Sequence, residues 1–515
     1  MSRQSFITGA LILLSASFIN RVIGFVYQMV IIRLIKPEGI GLFNMVFPIY
    51  ILILVMATMG IPVAISKLLA EEMAKNNIHG AKRIFKISLS ILFVSSVFFT
   101  VLLFFCAPLL TKYLFPNPKV YYIFLCLVPA IIVVSICSAF RGYFQGLQQM
   151  TPTAITQTLE QFVRVVSGLF IAYLLLPRGV EYAAMGAALG VVIGEFTGCL
   201  TIIYLYFNHQ RPHAFGKHRL YEPFKTTISR IFGLGIPVTL MRFFSTLLLS
   251  VEAILIPQRL QAAGMSVGEA TSVYGQLVGI AQTLLYTPSM ITIALATALI
   301  PAIADALALE NYRLVQNRTA KALRITIVVG LPCVVSFLLI PNEMCGVLFG
   351  YAESGTILAV LAIGGPFLYF QQTTTGILQG MGEAMKPFKN MAIASVFKIL
   401  GLYYLTSIPH FGVLGAAASL NLGFILMALL NYIDLRKLIG YQIHWSHDIV
   451  KPVLSSVAMA IFIWKIKMLF SFSSLVTLLV ALPAGCIIYV LILFLLGGLH
   501  RNDFKLIKNI INRRF

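Results

Sequence analysis

The chain has 515 residues, of which 59% are hydrophobic and only 11% are charged. Apolar runs of about 20 residues recur from end to end, which excludes a soluble globular protein and predicts an all-α polytopic membrane protein. The formal net charge is +21, but most basic residues lie between these runs. They therefore indicate membrane topology and contact with the phospholipid bilayer rather than binding to nucleic acid.

Hydropathy predicts about fourteen membrane spans. The first follows Ser2-Arg3-Gln4 without a small-residue cleavage site, so we expect no cleavable signal peptide. The predicted limits are 9–35, 40–70, 84–110, 120–143, 152–177, 182–207, 230–258, 272–305, 320–341, 355–381, 387–409, 412–435, 452–470 and 474–498.

The distribution of lysine and arginine predicts the orientation. With a cytoplasmic N-terminus, the inner connections and tails hold 26 of the 38 basic residues, including Arg141 and Arg230 as loop residues. The outer connections hold eight of the 38. This positive-inside bias predicts a multi-pass protein of the cytoplasmic membrane with both termini in the cytoplasm.

Charged side chains near the middle of spans are the main functional signal. Four of them are cations: Arg21, Arg164, Arg242 and Lys398. Three carboxylates also lie inside spans, away from the predicted ends: Glu160, Glu195 and Glu252. A charge at that depth costs a few kcal/mol and usually faces a cavity or a partner. The slight excess of positive charge favours an anionic substrate.

Arg21 lies in span 1, within the segment FINRVIGF, where Asn20 and Gly24 flank it. No carboxylate occurs in this span, so we expect Arg21 to face the substrate. The alternative is a structural cation bonded to carbonyl groups of a broken helix.

Glu160 and Arg164 lie four residues apart in span 5, on one helix face. They are predicted either to form a structural pair or to leave Arg164 facing the cavity. In span 7, Arg242 and Glu252 are about 15 Å apart along the axis and cannot bond directly. Arg242 is the second expected substrate contact, and Glu195 is its candidate partner.

Two carboxylates are candidates for binding a coupling proton or cation, namely Glu252 and Asp305, although either could be a structural acid. Gln371 and Gln372, inside span 10, could bind sugar hydroxyls or simply bond another helix. Lys398 in span 11 has no acid near it in sequence and is counted with the substrate contacts.

Proline and glycine are expected to interrupt corresponding spans, as bends for gating or as static kinks. The positions are Pro48 and Gly60-Ile61-Pro62 in span 2, Pro288 and Pro301 in span 8, and Gly364-Gly365-Pro366 in span 10.

An internal duplication is visible at an offset of about 229–240 residues. For example, MGAA at 185–188 matches LGAA at 414–417, and Arg164 matches Lys398. Six spans separate the copies, so the repeat is parallel and predicts a substrate cavity at the interface between two six-helix lobes. The predicted domains are an N-terminal lobe, a cytoplasmic linker, a C-terminal lobe, and two further helices with a basic tail: 1–208, 209–229, 230–437 and 438–515.

Catalytic and metal-binding motifs are not found in the sequence, so we expect neither an enzyme nor a cofactor. The seven cysteines show no C-x-x-C spacing and are predicted to be packing residues. Most histidines fall in predicted loops: His209, His213, His218, His444 and His447.

Several segments resemble the stage V sporulation protein B family, the polysaccharide-exporter branch of the multidrug/oligosaccharidyl-lipid/polysaccharide superfamily, which also contains lipid II flippases. The segments are RVIGF at 21–25, GIPVAISKL at 60–68, RGYFQG at 141–146, TLEQFVR at 158–164, EYAAMGAAL at 181–189 and the long segment 274–306. Arg21 matches the arginine before V-x-G-F in the flippases, whereas Tyr27 and Gln28 stand where those proteins often add an Arg-Asp pair.

The resemblance implies a V-shaped transporter that moves undecaprenyl-pyrophosphate-linked sugars across the membrane by alternating access. It implies a role in peptidoglycan synthesis, in sporulation members that of the spore cortex, with peptidoglycan synthesis proteins as partners. The alternatives are a cation-coupled multidrug antiporter of the same fold and a membrane-embedded glycan polymerase or transferase. An antiporter for cationic drugs favours carboxylates in its cavity, whereas the mid-span cations here outnumber them. A polymerase would need an acid and a base in a loop, which are not evident.

Overall fold

The computed structural model describes residues 6–209, 223–441, 449–469 and 473–498. Within these ranges the chain is helical and has no β-strand. Most of the predicted linker 209–229 and the basic tail after residue 498 lie outside the described residues, as do His213, His218, His444 and His447.

The α-helices in chain order are α1 (Phe6–Thr58), α2 (Ile61–Ala74), α3 (Ile78–Tyr113), α4 (Tyr121–Leu127), α5 (Ala130–Gly146), α6 (Thr151–Leu175), α7 (Val180–His209), α8 (Phe224–Ala262), α9 (Val267–Gly275), α10 (Gln282–Tyr286), α11 (Ser289–Ala308), α12 (Tyr312–Leu339), α13 (Pro341–Phe349), α14 (Gly355–Gly380), α15 (Met385–Leu405), α16 (Gly412–Ile439), α17 (Lys451–Leu469), α18 (Ser474–Val476) and α19 (Leu482–Leu495). Two short π-helical segments, Gln276–Ala281 and Thr477–Ala481, precede α10 and α19.

Twelve helices of the described chain are long and apolar enough to cross a membrane, so the protein is a multi-pass membrane protein. The predicted count of fourteen is not confirmed. One of the twelve segments, Ser15–Ala74, joins α1 and α2 and covers most of predicted span 1 and all of span 2, whereas α15, which covers most of predicted span 11, is not among the twelve.

The helices form two compact units. Unit 1 is Met1–Gly275 and unit 2 is Gln276–Phe515. In unit 1 the most extensive packing joins α6 to α7, and α8 packs against both α1 and α2. In unit 2, α14 packs against α11, α12 and α16. The two six-helix lobes with boundaries at 209–229 stay a prediction from the sequence repeat.

The first helix is kinked at Lys36, which has φ 62° and ψ 168° and precedes Pro37. Proline disfavours the helical conformation of the residue before it, which explains the position of the kink. α9 packs closely against the kink. Its Gly275 lies so near the Pro37 carbonyl oxygen that any side chain at this position would collide with it. The predicted interruption at Pro48 is not present, because α1 continues through it to Thr58.

The break between α1 and α2 lies at Met59 and Gly60, which have φ 48° and 61°. A Cβ at Gly60 would lie 2.4 Å from the carbonyl oxygen of Gly235 in α8, so glycine is required both by the left-handed conformation and by the close approach. The predicted interruption at Gly60 is therefore present, and it places the start of α2 directly against α8.

The predicted interruption at Pro288 is present between α10 and α11. Pro301 and Pro366 do not interrupt their helices, because α11 and α14 continue through them. A single proline removes one backbone hydrogen bond, and packed neighbours in a membrane protein can compensate for that loss.

Candidate functional site

A buried ionic network joins α5, α6 and α7 in unit 1. Arg164 Nη2 lies 2.6 Å from Glu160 Oε1 and 3.0 Å from Glu195 Oε1. Arg141 Nη2 lies 2.6 Å from Glu160 Oε2. Two arginines and two glutamates thus form a network with no net charge, and the four side chains are between 10% and 20% exposed.

This network corrects two predictions. Arg141 was counted as a loop cation, but it lies inside α5, which continues to Gly146. Glu195 was the candidate partner of Arg242, but it binds Arg164 instead. Arg164 has carboxylates on two sides, as a structural cation in the membrane interior requires.

Close packing of α6 against α7 brings the side chains of this network together. Gly186, Gly190, Gly194 and Gly198 recur every four residues and form one face of α7. A Cβ at Gly190 would lie 2.4 Å from Gly168 Cα, and one at Gly194 would lie 2.8 Å from the Glu160 carbonyl oxygen. Small residues at this spacing let two membrane helices approach closely, so Glu160 and Arg164 lie beside α7.

Arg21 and Arg242 differ from the arginines of the network. Both side chains are exposed, and among the described residues neither forms an ion pair with a carboxylate. Arg21 lies near the middle of the segment of α1 before Lys36, and Arg242 lies near the middle of α8. Because α1 packs against α8, the two cations belong to neighbouring helices of the same unit.

Arg230 is another cation that was counted with the loops. It lies in α8, with Nη2 2.8 Å from Glu71 Oε2 and Nη1 3.2 Å from Glu72 Oε1. Asn77 Nδ2 donates to Glu72 Oε2 at 2.7 Å, and Asn77 Oδ1 caps the start of α3. These contacts fasten α8 to the end of α2, and the two glutamates compensate the charge of Arg230.

The two ion-coupling candidates have different surroundings. Glu252 is buried in α8, and Asp305 is exposed near the end of α11. No three histidine, cysteine, aspartate or glutamate side chains come together in the described ranges to hold a metal ion. The ion-coupling roles of Glu252 and Asp305 stay predictions.

Lys398 is half-buried in α15, and its aliphatic stem lies against α16. A Cβ at Gly423 would approach Lys398 Cδ to 2.9 Å, so glycine at this position makes room for the stem. The role of Lys398 in substrate binding stays a prediction.

A cavity of about 330 Å³ lies within unit 2, with α14 on one side and α11 on the other. Gln371 and Gln372 both line it, together with Thr297, Thr375 and Gln379. Gln371 is 8% exposed, and its Oε1 has no hydrogen-bond donor among the described residues. The Thr292 hydroxyl donates to Gln372 Oε1 at 2.5 Å, which leaves the amide group of Gln372 as a donor.

A chain of hydrogen bonds fixes the helix behind this cavity. Asn431 of α16 donates through Nδ2 to the hydroxyl oxygens of Thr374 and Thr375, each at 3.1 Å. Asn390 of α15 donates to Asn431 Oδ1 at 3.0 Å and to Asp434 Oδ2 at 2.7 Å. These bonds tie α14, α15 and α16 together, so the cavity wall is held in place.

The ion pairs of Arg141 and Arg230 were not predicted, although the sequence contains a signal for that of Arg141. Only residues 147–150 separate α5 from α6, so the two helices run antiparallel. Arg141 and Glu160 then lie within about one helical turn of the same depth. No comparable local signal links Arg230 to Glu71 and Glu72, which lie far away in sequence.

Comparison with known proteins agrees with the architecture. Residues 6–307 match the polysaccharide biosynthesis protein family, and residues 277–404 match the MatE family. The stage V sporulation protein B of Bacillus subtilis (strain 168) is 35% identical over 448 residues, which cover 86% of each chain. The lipid II flippase MurJ of the same organism is 24% identical over 535 aligned positions, which cover 96% of each chain.

A solved structure shows the same fold. The structure of the lipid II flippase MurJ in an inward closed conformation superposes with a TM-score of 0.71 at 15% identity. The match covers 96% of this chain and 99% of the other. At this level of identity the likeness concerns the arrangement of helices.

Proposed function

We propose that this chain, which belongs to the polysaccharide biosynthesis protein family, translocates an anionic lipid-linked glycan precursor across the cell membrane. The substrate is an undecaprenyl-pyrophosphate-linked sugar of the lipid II type, used for peptidoglycan synthesis. Both termini are cytoplasmic, transport proceeds by alternating access, and the protein performs no chemical step on its substrate.

One observation carries the proposal, namely the contrast among the interior arginines. Arg141 and Arg164 are neutralised by glutamates, whereas Arg21 and Arg242 are exposed without an ion pair to any described carboxylate. An arginine in the middle of a span cannot face lipid cheaply. We therefore infer that both side chains face water and are available for an anionic ligand.

The chemistry of arginine favours a phosphate ligand. The guanidinium group is permanently charged and binds phosphate oxygens through two parallel hydrogen bonds. A pyrophosphate offers oxygens for more than one arginine, and its lipid tail can stay in the bilayer while the headgroup enters the cavity. The name of the lipid II flippase relative supports this class of substrate.

The second candidate is a cation-coupled multidrug antiporter, which the match of residues 277–404 to the MatE family favours. Such a protein needs a carboxylate available to its cationic ligand. Glu160 and Glu195 already bind arginines. The positive charges of Arg21 and Arg242, by contrast, are not neutralised by any described carboxylate. The charge of the interior therefore favours the anionic substrate.

Binding measurements on the purified protein test the proposal. Three probes are compared: undecaprenyl pyrophosphate, the neutral undecaprenol and the organic cation tetraphenylphosphonium. We expect the pyrophosphate to bind at least tenfold more tightly than undecaprenol. Tighter binding of the organic cation than of the pyrophosphate would favour the antiporter instead.

A further inference from the structure

The cavity of unit 2 combines two kinds of wall. Gln371, Gln372, Thr375 and Gln379 form a polar stripe along one face of α14. The facing wall is mainly apolar, with Ile293, Ala296 and Ile300 of α11 and Met427 of α16. None of the residues that line the cavity carries a charge.

The polar wall contains an unused hydrogen-bond acceptor. Gln371 is more than nine-tenths buried, and its Oε1 lacks a donor among the described residues. A buried acceptor without a donor is unfavourable, so such a group normally has a function or a bound partner. Gln371 lines the cavity, and although its Oε1 is itself enclosed, a half-turn of the amide group would present this oxygen to a ligand that supplies the missing donor.

The second glutamine presents the opposite group. The Thr292 hydroxyl occupies Gln372 Oε1, so the amide hydrogens of Gln372 remain to donate. With the Gln371 amide turned toward the cavity, neighbouring positions of one helix offer an acceptor at Gln371 and a donor at Gln372. A ligand matched to this pair carries both donors and acceptors and no net charge.

We infer that this cavity binds an uncharged sugar ring that carries hydroxyl and acetamido groups. A pyranose has a polar rim of hydroxyls and a face of C–H groups, which correspond to the glutamine stripe and to the apolar wall of α11. The volume of about 330 Å³ lies at the small end of ligand pockets and suits one sugar ring. The cavity offers no cation to a phosphate and no carboxylate to an organic cation. An acyl chain would leave the polar side chains of α14 without hydrogen-bond partners.

This inference rests on the proposed function, because the sugar ring is the glycan part of the proposed substrate. The experiment compares undecaprenyl pyrophosphate with the same lipid carrying N-acetylglucosamine. Affinities of both lipids are measured for the wild-type protein and for Gln371→Leu, with Gln258→Leu, an exposed glutamine of α8, as the matched control.

We expect the sugar to increase the affinity of the wild-type protein, and Gln371→Leu to reduce that increase by about 3- to 10-fold, the effect of one neutral hydrogen bond. The affinity for bare undecaprenyl pyrophosphate should stay unchanged in both variants. Equal binding of the two lipids by the wild-type protein would overturn the sugar site while leaving the proposed function intact. Failure of the wild-type protein to bind either lipid would overturn both.

Gln371→Leu could also disturb the packing of α14, so a milder variant accompanies it. Thr297→Val removes a hydroxyl from the cavity wall with little change of shape, at an exposed position of α11. It should reduce only the contribution of the sugar, whereas loss of affinity for both lipids in each variant would indicate a structural role and contradict the inference.

Discussion

The arginines inside the helices of unit 1 differ in what surrounds the guanidinium group. Arg141 and Arg164 are held by Glu160 and Glu195 at 2.6–3.0 Å, whereas Arg21 and Arg242 are exposed and have no carboxylate partner in the described chain. This contrast is the basis for proposing a structural role for Arg141 and Arg164 and a binding role for Arg21 and Arg242.

The proposed binding role of Arg21 and Arg242 predicts a specific pattern of loss. Each Arg→Ala change should weaken undecaprenyl pyrophosphate binding by about 10- to 100-fold, because a hydrogen bond to a charged group contributes roughly 1.5–3 kcal/mol. Arg→Lys should restore part of the affinity, since lysine keeps the charge but cannot form the bidentate contact. Arg313→Ala, at an exposed position of α12, serves as the control and should bind normally. Normal affinity in both alanine variants would disprove the assignment.

The structural role of the network predicts coupling between its members. Glu160→Gln leaves Arg141 and Arg164 with one carboxylate, and Arg164→Met leaves Glu160 and Glu195 with one arginine. Each single change should cost about 3–5 kcal/mol of stability because it leaves an unbalanced buried charge.

The double variant Glu160→Gln/Arg164→Met keeps one arginine and one glutamate, so it should lose less than the sum of the single changes, by about 0.5–3 kcal/mol. Thermal unfolding in detergent measures all three variants. Strictly additive losses would show that the two side chains do not interact in the folded protein.

Parts of this network follow from the sequence and parts do not. The spacing of Glu160 and Arg164 indicates a pair on one helix face, and the structure has that contact. The choice of Glu195 as the partner of Arg164 rather than of Arg242 depends on the packing of α7 against α6. That packing is a tertiary property, which spacing along one helix does not contain.

At the level of helices, the glycine face of α7 is the feature on which the network depends. Gly190 and Gly194 lie so close to the backbone of α6 that any side chain would force the helices apart. Helix separation would also lengthen the contact between Arg164 and Glu195. The same four-residue spacing is visible in the sequence, although only the structure identifies α6 as the helix it faces.

A pair of glycine variants tests this packing. Gly190→Ala should destabilise the protein by about 1–3 kcal/mol, because its Cβ would lie 2.4 Å from Gly168 Cα. Gly233→Ala in α8 is the matched control, since its Cβ would meet no atom within 4 Å. There alanine should stabilise the helix by up to about 1 kcal/mol. Equal thermal stability of the two variants would contradict the close contact of α6 and α7.

Helix limits were predictable to within several residues, but the breaks were less so. Hydropathy places span 5 at 152–177, and the helix runs from Thr151 to Leu175. The kink at Lys36 falls in the predicted connection between spans 1 and 2, but its positive φ was not predicted, since a non-glycine residue rarely takes a positive φ and hydropathy carries no information on backbone angles. Contact with Gly275 of α9, which holds the kink, comes from a distant part of the chain.

For the whole molecule, the proposed transport combines two kinds of recognition. Arg21 and Arg242 in unit 1 suit the pyrophosphate, and the glutamine stripe of α14 in unit 2 suits an uncharged sugar. The composition and hydropathy were sufficient to predict a multi-pass membrane protein. The distinction between compensated and uncompensated arginines was not predictable, because it depends on contacts between helices.

Protein-dependent translocation in liposomes tests the central claim most directly. The purified chain is reconstituted, and the appearance of undecaprenyl-pyrophosphate-linked N-acetylglucosamine in the opposite leaflet is measured, with tetraphenylphosphonium uptake as the comparison. We predict that the wild-type protein and Arg313→Ala translocate the anionic lipid and do not transport the cation, whereas the double variant Arg21→Ala/Arg242→Ala is inactive. Transport of the cation without translocation of the anionic lipid would contradict the account.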